Sequence, residues 1–350
     1  MKHNFIKRII RPAALVLATV MLTGCGSVPE VTAGASAMMK ELNYTGALAE
    51  LDRAEELGEN IRLVNRSRGI AYMGLTEYEK AIECFQTSLK ASDGLIQDID
   101  FDTNYYLAAA YTKVGRYEEA EAVYDAILAL RDGEKDAYFL RGNARMNLDN
   151  YPGAKEDFDK VIAMDPKNYD RLIEIYEVLE HFGYKDAGQE YLKAVLNSGD
   201  KQMDNYVIGR IYYYLGEYQK AYLALEEARE KGGVKSYLYL GRSYEATGDY
   251  NYAASVYNNY LSKYEGNAEV YNQLGLCEMV KGDYRKALES FQAGMKLEQG
   301  EMLQTLSFNE IIAYEYLGEF TQAHVLMDNY MKNYPDDEQA KREYLFLSTR

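Results

Sequence analysis

The sequence predicts an all-α chain built by stacking one helix-turn-helix unit about nine times. Three observations predict it. An aromatic residue followed three positions later by alanine recurs as Tyr44/Ala47, Tyr78/Ala81, Tyr117/Ala120, Tyr151/Ala154, Tyr184/Ala187, Tyr218/Ala221, Tyr250/Ala253, Tyr284/Ala287 and Phe320/Ala323. The intervals between those alanines are 34, 39, 34, 33, 34, 32, 34 and 36 residues, the period of a repeat array. The chain of 350 residues has only 5 Pro and no Trp, against 35 Tyr, and abundant Ala, Leu, Glu and Lys favour helix.

Residues 1–24 differ in character from the rest. Lys2, Lys7, Arg8 and Arg11 precede an apolar run from Ala13 to Leu22. Ten residues at ~1.5 Å each fall short of a bilayer core of ~30 Å, so the segment reads as a signal peptide. It ends in Leu22-Thr23-Gly24-Cys25. This resembles the lipobox of bacterial lipoproteins, which implies cleavage before Cys25 and lipidation of that cysteine. Two acyl chains anchor a protein stably where one does not. Residues 25–31 are then a lipidated N-terminus and short tether.

Residues 32–336 hold the repeats. The first copy, Val28 to Asn60, lacks the glycines found later. Twelve positions before the alanine stand Gly69, Gly142, Gly209, Gly241 and Gly275, with Ala108 in one copy. Five before it stand Gly115, Gly216, Gly248, Gly282 and Gly318, suited to a turn between helices. Tyr72, Tyr111, Tyr212, Tyr244 and Tyr314 stand nine before it, and a bulky residue such as Phe85, Tyr124, Phe158, Tyr191, Tyr257 or Phe291 four after it. By this count one copy has Ile175 and Phe182 where glycines are usual. Lys90 to Asn104 carries the extra residues of the 39-residue interval and reads as an exposed connection. Residues 337–350 read as a capping helix over the open end of the stack.

These positions resemble the tetratricopeptide repeat. The resemblance implies a right-handed superhelix, an α-solenoid, that binds peptides or proteins along the concave face lined by the first helix of each unit. The subtype that clamps a terminal carboxylate with Lys, Asn and Arg is not matched, because the corresponding positions hold Arg66 and Ile70, Tyr106, and Asp136 and Leu140.

The leader carries four basic and no acidic residues, so the remainder has 35 basic and 55 acidic residues and a net charge of −20. That excludes nucleic acid as an expected partner. Cys84 and Cys277 are too few for a disulfide framework and read as buried apolar residues. His3 lies in the leader, and His181 and His324 stand in different units without ligand companions at helical spacing. No metal, cofactor or catalytic site is expected, and the chain is not expected to be an enzyme.

One stretch, Gln202 to Leu215, is dense in tyrosine. At ~100° per residue, Ile208, Ile211, Tyr212 and Leu215 share one side of a helix. Tyr206, Arg210, Tyr213 and Tyr214 share nearly the opposite side. Tyr169, Leu172, Tyr176 and Leu179 occupy the equivalent stripe in the preceding unit, and Lys235 and Arg242 in the following one. This predicts a groove of tyrosine and leucine with two arginines, suited to a peptide bearing a carboxylate. The same residues also read as packing between neighbouring first helices, with the arginines neutralising glutamates.

The functional expectation is a non-catalytic scaffold or adaptor, anchored through Cys25 to a bacterial cell membrane on its extracytoplasmic side. An alternative is a subunit of an envelope assembly, secretion or pilus machine. A cell-wall binding module or an enzyme built on a helical array ranks below both.

Overall fold

The computed structural model describes residues 30–200, 203–297 and 300–349. The leader and Cys25 lie outside the described residues. Nineteen α-helices and no strand occur among the described residues. They form nine pairs: α1 (Glu30–Lys40) and α2 (Tyr44–Glu56); α3 (Ile61–Gly74) and α4 (Tyr78–Lys90); α5 (Asp98–Lys113) and α6 (Tyr117–Leu130); α7 (Lys135–Asn147) and α8 (Tyr151–Met164); α9 (Tyr169–His181) and α10 (Lys185–Asn197); α11 (Asn205–Tyr214) and α12 (Tyr218–Ala228); α13 (Gly233–Ala246) and α14 (Tyr250–Lys263); α15 (Ala268–Lys281) and α16 (Tyr284–Met295); α17 (Glu301–Tyr316) and α18 (Phe320–Asn333). The single helix α19 (Glu338–Leu347) follows. The all-α solenoid expectation and its terminal cap are thus met. Lys90–Asn104 is mostly helix, because α5 begins at Asp98 and only residues 91–97 connect.

Two compact units divide the chain, one ending at Gly188 and the other beginning at Gln189. In each, a helix packs on the next, and first helices also touch the first helices of neighbouring pairs, as α3 on α5 and α13 on α15. Side-chain oxygens of Asn43, Asn60, Asn150, Asn168, Asp204, Asp249, Asn267 and Asp337 accept first-turn amides, which fixes where these helices start.

Where the first helix carries the repeat glycine, a size exchange inside the pair enforces the period. A Cβ built at Gly69 would lie 2.4 Å from the Phe85 ring, at Gly142 2.6 Å from Phe158, at Gly241 2.3 Å from Tyr257 and at Gly275 2.4 Å from Phe291. The bulky residue four after the alanine therefore packs within its own pair, against the glycine of the first helix. These rings are fully buried.

The α9–α10 pair departs from the register read in the sequence by one residue. Gly188, not Ala187, is the buried small residue, and Leu192, not Tyr191, is fully buried four positions on. The left-handed turn residue is Gly183 (φ +85°), five before Gly188, so the turn glycine is present after all. In this register Tyr176 stands where other units have glycine. Gly188 compensates: a Cβ there would come within 3.0 Å of the Tyr176 ring. Large and small have thus changed helices.

Three pairs make the turn without glycine. Leu42, Thr76 and Asp149 hold φ of 60°, 61° and 57° at the turn position. A β-branched residue is strained most there, whereas Asp tolerates it better. Thr76→Gly is expected to raise stability by about 0.5–1 kcal/mol, and Asp149→Gly by less. Chemical denaturation checks this; a lower midpoint for Thr76→Gly would contradict it.

Candidate functional site

In the first unit, the expected groove residues are not brought to a surface. Leu172 is 4% and Tyr176 1% exposed, and Tyr169 is half-buried. The one-residue register shift is the reason: it rotates the stripe by ~100°, so Tyr176 faces α10. Asp170, Glu174, Glu177, Glu180 and His181 are the exposed residues of α9. Burial foremost, with Asp170, Glu177 and Asp136 nearby, pushes the Glu174 carboxyl up, against the pull of Arg171. Arg171 pairs with Asp136 of α7 at 2.5 Å.

The same unit holds a recess that the sequence reading did not anticipate. Beneath residues 91–97, a cavity of about 230 Å³ is lined by Leu89, Leu95, Ile96, Phe101, Ile127 and Leu130. Leu95 and Leu130 are largely exposed at its rim. It is smaller than an ordinary small-molecule site of ~300–1,000 Å³.

In the second unit, the tyrosine stripe of α11 comes together with one residue the sequence reading did not name, Tyr239 of α13. Tyr213 meets Tyr214, Tyr218 and Tyr239 edge-on at 5.4, 5.8 and 5.4 Å between ring centroids. The Tyr214 and Tyr239 hydroxyls are 2.9 Å apart. Tyr206, Tyr213, Tyr214 and Tyr239 are all half-buried. Burial, above all, pushes the Tyr213 phenol up to about 12, with Arg242 pulling the other way. The remaining tyrosines of the stretch are packing: Tyr222 stacks on Tyr244 at 4.7 Å, and Tyr212 belongs to the same core.

The two arginines are placed differently from one another and from the expectation of a matched basic pair. Arg210 is buried, with its guanidinium 5.1 Å from the Tyr206 ring and 5.5 Å from Tyr239. Arg242 pairs with Glu269 of α15 at 2.6 Å. Lys235 is exposed at the start of α13. Arg210 is thus drawn in by helix packing around it, and Arg242 is neutralised one unit along. A signal for Tyr239 was available: it stands four after Lys235 and three before Arg242, on the same helical stripe.

Beside this patch, Glu245 of α13 accepts from Tyr257 (2.5 Å) and the Cys277 thiol (3.5 Å). Burial raises both the Glu245 carboxyl and the Cys277 thiol, which keeps the thiol protonated and unreactive. Cys277 is buried as expected, and Cys84 is only partly so. Among the described residues, no group of three or more His, Cys, Asp or Glu could hold a metal ion, and no helix is long and apolar enough to cross a membrane.

Two models with the description tetratricopeptide repeat match the sequence, one over residues 66–137, 206–268 and 238–296, the other over 135–168. Together they cover more than half of the chain. RNA polymerase II-associated protein 3 of Xenopus tropicalis is 30% identical over 116 residues, 33% of this chain and 17% of that protein. The chain therefore aligns with under a fifth of that relative's length. Among solved structures, yeast Tom70 is similar with a TM-score of 0.52 at 15% identity, covering 91% of this chain and 80% of that one. A tetratricopeptide repeat protein from Parabacteroides merdae has a TM-score of 0.48 at 15% identity, covering 80% and 97%.

Proposed function

We propose that this chain, which belongs to the tetratricopeptide-repeat family, is a non-catalytic scaffold that holds a partner protein against the first helices of its second unit. The observation that carries the proposal is the patch of Tyr206, Tyr213, Tyr214 and Tyr239. The rings of Tyr213, Tyr214 and Tyr239 lock one another edge to face, so little freedom is lost when something lands on them, and all four tyrosines keep part of their surface open. Rigid, half-open tyrosines are the residues that anchor protein interfaces. The phenol hydroxyls of Tyr214 and Tyr239 offer polar contacts at the rim.

The leader and the Leu22-Thr23-Gly24-Cys25 sequence support a further part of the proposal. The scaffold works on the outer side of a bacterial cell membrane, tethered by lipid on Cys25. The surplus of acidic residues makes the body itself a poor ligand for an anionic bilayer, so the anchor supplies the attachment.

One experiment tests both parts. A photo-crosslinking residue replaces Tyr214, or the exposed Tyr252 as a control, in a chain expressed in intact cells. A discrete adduct at position 214 and none at 252 is expected, and Cys25→Ala should move the chain out of the membrane fraction. Equal labelling at 214 and 252 would remove the tyrosine patch as the binding face. Membrane retention of an unlipidated Cys25→Ala chain would remove the anchor.

A further inference from the structure

The C-terminal helix α19 is held by little apolar surface. Of its ten residues only Ala340 and Leu347 are buried. Tyr344 lies over His324, and Phe346 meets Phe320, both of α18, at 5.7 and 6.4 Å between ring centroids. Asp337 ties the start of the helix down by accepting from Tyr330 at 2.8 Å and Gln304 at 3.1 Å.

Within this joint two carboxyls meet. Glu315, in the last turn of α17, and Glu343 of α19 lie within hydrogen-bonding reach of each other. Glu315 Oε1 is sealed from solvent and receives no hydrogen bond. No basic side chain compensates Glu315. The nearest cations on α19 are turned elsewhere: Lys341 pairs with Glu338, and Arg342 donates to the Glu338 carbonyl. From α18 the joint receives His324, paired with Asp328 at 3.5 Å, and Asp328 also takes the Tyr344 hydroxyl. From α16 it receives the Tyr284 ring, against Tyr316 at 5.0 Å.

Two touching carboxyls cannot both carry charge cheaply, whereas one proton between them makes a hydrogen bond. We propose that α19 is a proton-dependent cap, docked on the last repeat while a protonated Glu315 donates to the Glu343 carboxyl and loosened when Glu315 ionises. The direction of the effect follows from the environment. Burial first, and the Glu343 carboxyl second, raise the Glu315 carboxyl to about 8. A carboxyl raised in the folded state favours the folded state below the ordinary carboxylate range and loses that contribution as pH climbs toward the raised value. Docking is therefore tightest in acid and weakens through neutrality. The loosened cap uncovers Met327 and Tyr330 of α18, which it otherwise helps to bury.

The test is amide exchange of the full chain, corrected for the intrinsic rate at each pH. Protection in α19 is expected to fall about tenfold or more between about pH 5.5 and about pH 8.5, while α17 holds its own. Glu343→Gln and Glu315→Gln should each keep α19 protected at both values, because an amide replaces the bridging proton. His324→Gln should leave the pH dependence in place. The proposal is overturned if wild-type protection in α19 is indifferent to pH, if both glutamine variants keep the wild-type response, or if His324→Gln abolishes it.

Discussion

Asp157→Ala should cost the first unit about 3–5 kcal/mol, a larger loss than removal of any exposed ion pair in the chain. The carboxylate of Asp157, on α8, is 2% exposed and grips two arginines of α7. Arg141 reaches it through Nη2 at 2.6 Å and Nε at 3.0 Å, and Arg145 through Nη1 at 2.9 Å. The same arginines extend to α6, where Asp125 takes Arg141 and Glu121 takes Arg145, each at 2.6 Å. One buried carboxylate thus clamps three consecutive helices. Deleting it leaves two guanidinium groups with half their compensation, and the stranded charge is what costs. Asp157→Asn keeps the shape and should lose less. The readouts are the urea midpoint and amide exchange in α7 and α8. A loss below about 1 kcal/mol would show that the surface partners carry the arginines alone.

Phe291→Ala is the second large effect, at about 3–5 kcal/mol, because its ring is fully buried against the bare backbone of Gly275. The reciprocal change is more telling. Gly275→Ala places a methyl 2.4 Å from that ring, and the overpacking cost of about 1–3 kcal/mol outweighs the better helix propensity of alanine. Combining Gly275→Ala with Phe291→Leu should recover much of the loss, since the chain already uses smaller fillers such as Leu225 in an equivalent place. A double-mutant cycle in thermal unfolding measures the coupling. Strict additivity would mean the two positions do not sense one another.

The fold was legible because each unit repeats the same size constraint, and a size constraint leaves a mark in residue type. The place where reading went astray is equally physical. Tyr184 and Ala187 satisfy the aromatic-alanine spacing by coincidence, while Gly188 does the alanine's packing. Counting from the turn would have found this, since Gly183, Gly188 and Leu192 keep the offsets of Gly248, Ala253 and Tyr257. That slip alone moved Leu172 and Tyr176 from core to groove in the sequence reading. The tyrosine patch was half legible. Helical spacing placed Tyr206, Tyr213 and Tyr214 on one face, but what meets that face depends on the neighbouring helix. Tyr239 and the burial of Arg210 are properties of the contact, which no single-helix pattern contains.

The contacts between successive first helices differ from one another throughout. Arg62 and Arg66 of α3 pair with Asp100 and Asp102 of α5, whereas on α7 and α9 the acid comes first, Asp136 with Arg171. Tyrosine meets tyrosine between α11 and α13, arginine meets glutamate between α13 and α15, and Asn309 of α17 donates to Asn272 of α15 at 2.8 Å. Units that share one fold are therefore not spare parts for each other. Moving the α3–α4 pair away from α5 would separate Arg62 and Arg66 from Asp100 and Asp102 and leave both acids unanswered. Each joint works as a serial number, readable only by its neighbour, and it fixes the order in which nearly alike modules can be strung together.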